Sequence, residues 1–166
     1  MPYQPWQPGM LLTQGRLASI SPTWQAWTPT WTTSTGLHLP AYGNASLDCA
    51  YAVTARTVLF RVDIQFGSLT NFGASADAAD NWLFSLPVAA ASVVQPAGFV
   101  DLHASGSARA IARIRLMSTS AFGLEIASGQ PNGSTIANTG LVDSLSPWTW
   151  ASGNAVRGVG QYEAAA

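Results

Sequence analysis

Two histidines, one cysteine, eight carboxylates and seven arginines are the side chains of this sequence that could do chemistry. His38 and His103 stand far apart, and neither has a second ligand at the short spacing a metal site needs. Both read as satisfied or solvent-facing histidines, and no metal or cofactor is expected. Cys49 lies in Ser46-Leu47-Asp48-Cys49-Ala50 without an adjacent base or cation, so it reads as a small buried apolar residue rather than a nucleophilic thiolate. There is no Gly-rich phosphate loop, no G-x-S-x-G and no Cys-His signature. Glycoside hydrolysis would need two carboxylates at a defined separation, one with a raised pKa. Asp63 and Asp101 fall in strand-like stretches, but Asp63 alternates outward beside Arg61 and reads as a cross-strand ion-pair partner. No catalytic residue is assigned, and the chain is expected to be non-enzymatic.

Binding is better represented than catalysis. Arg109, Arg113 and Arg115 fall on one face of one alternating stretch. They could form a cationic stripe for a phosphate or an acidic sugar. Because the chain as a whole is not basic, the favoured reading is a solvated or inter-subunit face paired with Asp101, Glu125 and Asp143. Seven tryptophans are present, and Trp6, Trp24, Trp27 and Trp31 all precede residue 32. The spacing of Trp24, Trp27 and Trp31 would suit a helix face, but Pro29 and the surrounding threonines oppose helix. An extended, aromatic-studded lead-in is expected. Its tryptophans are candidates for packing, for subunit contact or for stacking on sugar rings.

These residues must be positioned by a chain of 166 residues, the length of one domain with a true core. Only 9% of residues are charged, 48% are hydrophobic and the net charge is −1. No broad field attracts nucleic acid or an anionic membrane, and neither is expected as a partner. So few charges imply that copies of the chain or a partner cover much of the surface. No apolar run reaches the length of a membrane span, so no membrane insertion is expected. Residues Met1 to Met10 lack the basic start and apolar centre of a signal peptide, and synthesis and folding in a cytoplasm are expected.

Most of the sequence reads as strands. Val58, Phe60, Val62, Ile64 and Phe66 alternate with Thr57, Leu59, Arg61, Asp63 and Gln65, the period of a half-buried strand. Ala110, Ala112, Ile114 and Leu116 alternate with the arginines; Phe122, Leu124 and Ile126 and then Trp82, Phe84 and Leu86 repeat the pattern. Further candidate strands are Ser46 to Val53, Gly98 to Ala104, Thr135 to Ala137, Trp148 to Ala151 and Ala155 to Glu163. Turn signals separate them, among them Tyr42-Gly43-Asn44, Ser105-Gly106-Ser107, Asn132-Gly133 and Ser152-Gly153-Asn154. The expected fold is all-β, an antiparallel β-sandwich of jelly-roll-like form over residues 23–166. Residues 1–22 are expected to be an N-terminal arm that orders against a partner. Within it, Thr13 to Ile20 could make one or two helical turns. There is no heptad, collagen-like or solenoid repeat, hence no fibre shaft within the chain.

Four stretches, in order, resemble the small virion-surface proteins of phages infecting actinobacteria and related hosts, of the minor tail or tail-fibre head type. They are Trp6-Gln7-Pro8-Gly9-Met10-Leu11-Leu12-Thr13 followed by Arg16-Leu17; Trp27-Thr28-Pro29-Thr30-Trp31-Thr32; Thr54 to Val62 with Phe66-Gly67-Ser68 and Phe84 to Val88; and Gly160-Gln161-Tyr162-Glu163-Ala164. Leu17-Ala18 departs from the leucine–asparagine pair common in that family. The resemblance implies a β-sandwich head, a short attachment segment, homotrimers and no enzyme activity. On this reading the chain is a virion structural protein whose partners are itself and other tail or capsid proteins. Trp6, Leu11, Leu12, Leu17 and Ile20 would dock it, and the β-domain would face outward for contact with the host, including a host-surface glycan. A capsid decoration protein is the alternative within this class, and a carbohydrate-binding module the alternative outside it. The last would need an exposed aromatic platform beside polar groups, for which Trp24, Trp27, Trp31, Arg109, Arg113 and Arg115 are the candidates.

Overall fold

A computed structural model describes residues 9–11, 13–15, 21–94, 96–104, 108–126 and 140–165. Within them the chain is all-β and antiparallel, as the alternation predicts. The strands are β1 (Gln25–Ala26), β2 (Trp31–Thr33), β3 (Ser46–Leu47), β4 (Ala50–Thr54), β5 (Thr57–Gln65), β6 (Trp82–Ser85), β7 (Gly98–His103), β8 (Arg109–Leu116), β9 (Ala121–Ile126), β10 (Gly140–Leu141) and β11 (Ala155–Glu163). They form an 11-stranded sheet in the order β1-β4-β5-β11-β7-β8-β9-β6-β2, with β3 beside β5 and β10 beside β9.

The long strands obey the period of two. Along β5 the side chains Val58, Phe60, Val62 and Ile64 are buried, and Thr57, Arg61 and Gln65 are exposed. Along β8 Ala112, Ile114 and Leu116 are buried, and the arginines point the other way. One buried face and one wet face fix the register of both strands, because a one-residue slip would exchange the faces.

The sheet is strongly curled. β5 and β9 are separated by β11, β7 and β8, so in a flat sheet they would lie roughly 19 Å apart at ~4.8 Å per strand. Instead the Phe60 and Phe122 rings meet at 5.6 Å, which puts the two halves of the sheet face to face across one core. The two ends of the sheet, β1 and β2, are neighbours in sequence. The link between them closes the curl. Trp27 N–H donates to the Cys49 carbonyl at 3.0 Å on one side; the Thr30 carbonyl accepts from Ser85 N–H at 2.9 Å on the other. Between these anchors the Trp27 ring packs on Phe60 and Phe122 from opposite walls, at 6.0 and 6.4 Å.

Two expectations differ from the structure. Trp148 to Ala151 is not a strand. Asp143 Oδ1 accepts from Leu145 N–H and Ser146 N–H at 2.6 and 2.8 Å, and Asn154 Oδ1 accepts from Ala151 N–H at 3.2 Å. Side chains thus satisfy backbone donors that a ladder would otherwise use, and Trp150 turns into the core. Ser46 to Val53 is interrupted at Asp48-Cys49, giving β3 and β4 instead of one strand. Thr135 to Ala137, the Asn132-Gly133 turn and most of the Thr13 to Ile20 turn lie outside the described residues, although residues 14–15 are helical.

Candidate functional site

The outer face of β5, β11 and β7 carries the side chains that the core does not use. The register pairs Val159 of β11 with Arg61 of β5 on one side and with Phe99 of β7 on the other. One step along, Arg157 pairs with Asp63 and Asp101. Phe99 and Val159 are 57% and 65% exposed, unusual for a phenylalanine and a valine side by side at the centre of a sheet. Trp24, just before β1, is 51% exposed and lies against the Arg61 guanidinium, which stands 5.7 Å from the ring centroid. Trp24, Leu59, Phe99, Val159 and Gln161, with Gly98 and Gly160, line an open groove of about 470 Å³. A second hollow of about 350 Å³ adjoins it at Val159 and is lined by Asp48, Arg61, Asp63 and Arg157.

The charges of this face are closed among themselves. Arg61 meets Asp48 at 2.8 Å, Arg157 meets Asp63 at 2.9 Å, and Arg109 meets Asp101 at 3.5 Å. Arg113 and Arg115 both reach Glu125, at 2.7 and 3.3 Å. The hydrogen bond from Arg113 holds the Glu125 carboxyl below the usual carboxylate range, against the opposing effect of burial. Arg56 meets Glu163 at 3.1 Å. Every arginine among the described residues therefore lies within 3.5 Å of an acid, with Arg113 and Arg115 sharing the single Glu125 carboxylate. Asp143, expected as a partner of the stripe Arg109–Arg113–Arg115, is instead buried and caps the turn before Trp148. Such exposed pairs stabilise the fold little; their effect here is a ladder with little net charge.

The three candidate tryptophans separate. Trp24 is at the surface. Trp27 is the closing ring described above. Trp31 is 5% exposed and sits in the interior, 4.8 Å from Trp82, 5.3 Å from Phe66 and 5.8 Å from Phe84. In this domain Trp31 is a core residue on β2, and Trp27, in the link, is partly buried against the core. Of the docking candidates, Leu11 is described and 83% exposed. Trp6, Leu12, Leu17 and Ile20 lie outside the described residues.

Sequence reasoning did not foresee the pairing of His38 with Asp80, because nothing local marks two loop residues so far apart as partners. His38 Nδ1 lies 2.7 Å from Asp80 Oδ2. Asp80 is buried, also accepts from Asp77 N–H at 3.0 Å and from the Thr35 hydroxyl, and is held below the usual carboxylate range chiefly by the Thr35 bond. A nucleophilic relay would need the hydroxyl on the imidazole. Here it is on the carboxylate, so the cluster acts as a clamp between the loop after β2 and the turn before β6. Cys49 is buried, and burial pushes its thiol up, away from the reactive thiolate. Among the described residues no group of three or more His, Cys, Asp or Glu side chains is arranged to hold a metal. Neither a protein-family model, a curated protein nor a solved structure matches the chain.

Proposed function

We propose that the chain is a non-enzymatic structural protein of a bacteriophage particle, held by the arm at residues 1–22, displaying its β-domain at the surface and working as a homotrimer. The observation that supports this reading best is the contrast between closed charges and open apolar surface. Every described arginine meets an acid, Arg113 and Arg115 sharing Glu125, while Phe99, Val159 and Ile111 stand exposed on the sheet, and Leu37, Leu39 and Leu69 on the loops. A domain with matched charges and uncovered apolar patches is built to be covered by other molecules rather than to transform them. The order of sequence motifs supplies the virion setting.

The test is to locate the protein in purified particles by immunogold labelling and to weigh the free chain by light scattering. Label at the tail tip is expected; label over the head would assign the capsid decoration role, and particles without the protein would overturn the reading. A scattering mass of three chains is expected at micromolar concentration, and a monomer would remove the trimer. Deleting Met1 to Ser21 is expected to abolish particle binding while leaving the trimer intact.

A further inference from the structure

We infer that the groove at Trp24 and Phe99 binds a neutral oligosaccharide. Four features of the outer face point to that ligand. Two exposed aromatic side chains, from different parts of the chain, line one groove, and its size is that of a small-molecule site. A pyranose ring presents a face of C–H bonds to such rings, while its hydroxyls point outward around the rim. Arg61 lies on the Trp24 ring, so part of the ordering that stacking requires is already done in the free protein.

The groove continues at Val159 into the hollow of Asp48, Arg61, Asp63 and Arg157. Carboxylates accept from sugar hydroxyls and guanidiniums donate to them, both as forked pairs suited to vicinal diols. Finally, these two acids and two arginines are paired one to one and cancel. A phosphate or a uronic or sialic acid would have to break a pair to gain a cation, whereas a neutral sugar can hydrogen-bond to the pairs as they stand.

The inference is independent of the particle assignment, because it is read on the free chain. The full-length protein is applied to a panel of neutral glucose, galactose, mannose and arabinose oligosaccharides, with sialylated and uronate-containing oligosaccharides as the charged arm. The strongest binder is then titrated by calorimetry. Binding to a neutral member is expected, with Trp24→Ala and Phe99→Ala each weakening it about tenfold or more and Val53→Ala, outside the groove, leaving it unchanged. Unaltered melting curves show that the variants fold. Four results would overturn the inference: no neutral member bound at millimolar concentration, preference for the charged arm, binding indifferent to Trp24→Ala, or a Phe99→Glu variant that dissociates an oligomer. The last would give this face to a second copy of the chain.

Discussion

The interior cluster around Trp31 and the outer groove around Trp24 are made of the same side-chain types, and the two tryptophans come from one short stretch of chain. Inside, Trp31 is enclosed by Phe66, Trp82 and Phe84, with Trp150 packed on Phe66 and Trp82 behind it. The indole N–H groups of Trp31 and Trp82 are buried and find no hydrogen-bond acceptor, so shape and area hold the cluster rather than polarity. Outside, Trp24 keeps half its surface and touches a charged group. What separates them is the link that closes the sheet: Trp31, just after it, is turned into the core, and Trp24, just before it, is left on the rim. Tryptophan content alone says nothing about which role a given ring plays; the side of the sheet decides.

That contrast can be broken by mutation. Trp31→Ala should empty the largest part of the interior cluster and cost roughly 3–5 kcal/mol in urea unfolding, as expected for truncating a buried aromatic. A loss under ~1 kcal/mol would show that the cluster collapses around the gap. Gly160→Ala comes next. Its Cβ would lie 2.4 Å from the Phe60 ring and 2.8 Å from the Ala97 carbonyl oxygen. Overpacking of this kind costs about 1–3 kcal/mol, and Phe60→Leu in the same chain should recover part of it, measured as a non-additive double-mutant cycle.

Acid provides a smaller effect that separates the clamp from the rest. The Asp80 carboxyl is held down in the fold, so the unfolded chain takes up its proton first as pH falls. Its contribution is fully present above the ordinary carboxylate pKa of about 3.9 and is lost as pH drops further, through the folded value. Asp80→Asn should therefore flatten the fall in urea midpoint below about pH 4 while lowering the midpoint at neutral pH. An unchanged acid slope would relieve Asp80 of that role. The smallest effect belongs to Trp24→Ala, which should cost no more than about 1 kcal/mol, the upper range for an exposed cation–π contact. A loss as large as that of Trp31→Ala would mean that the groove is part of the core.

Much of this could be read from residue order. The alternation in β5, β8, β9 and β11 predicts both the strands and their buried faces, because side chains on a strand point to opposite sides whatever its neighbours are. Cys49 as a buried residue and Asp63 as an outward ion-pair partner follow from the same local pattern. Trp148 to Ala151 reads as a strand because aromatic and small residues suit one, whereas Asp143 and Asn154 supply hydrogen bonds that a pattern of hydrophobicity does not show.

The sequence by itself determined that the chain is all-β, which faces of its longest strands are apolar, and that its charge is sparse and balanced. Those are local or additive properties. Only the tertiary structure decided that β11, the last strand, lies between β5 and β7, that the link between β1 and β2 closes the curl, and that Trp24 is left outside while Trp31 is taken in. Strand order is set by long-range pairings whose gain appears only after distant segments have met. The same holds for the groove: Trp24, Phe99 and Val159 become one surface only once β5, β11 and β7 lie side by side, and no spacing along the chain records that they do.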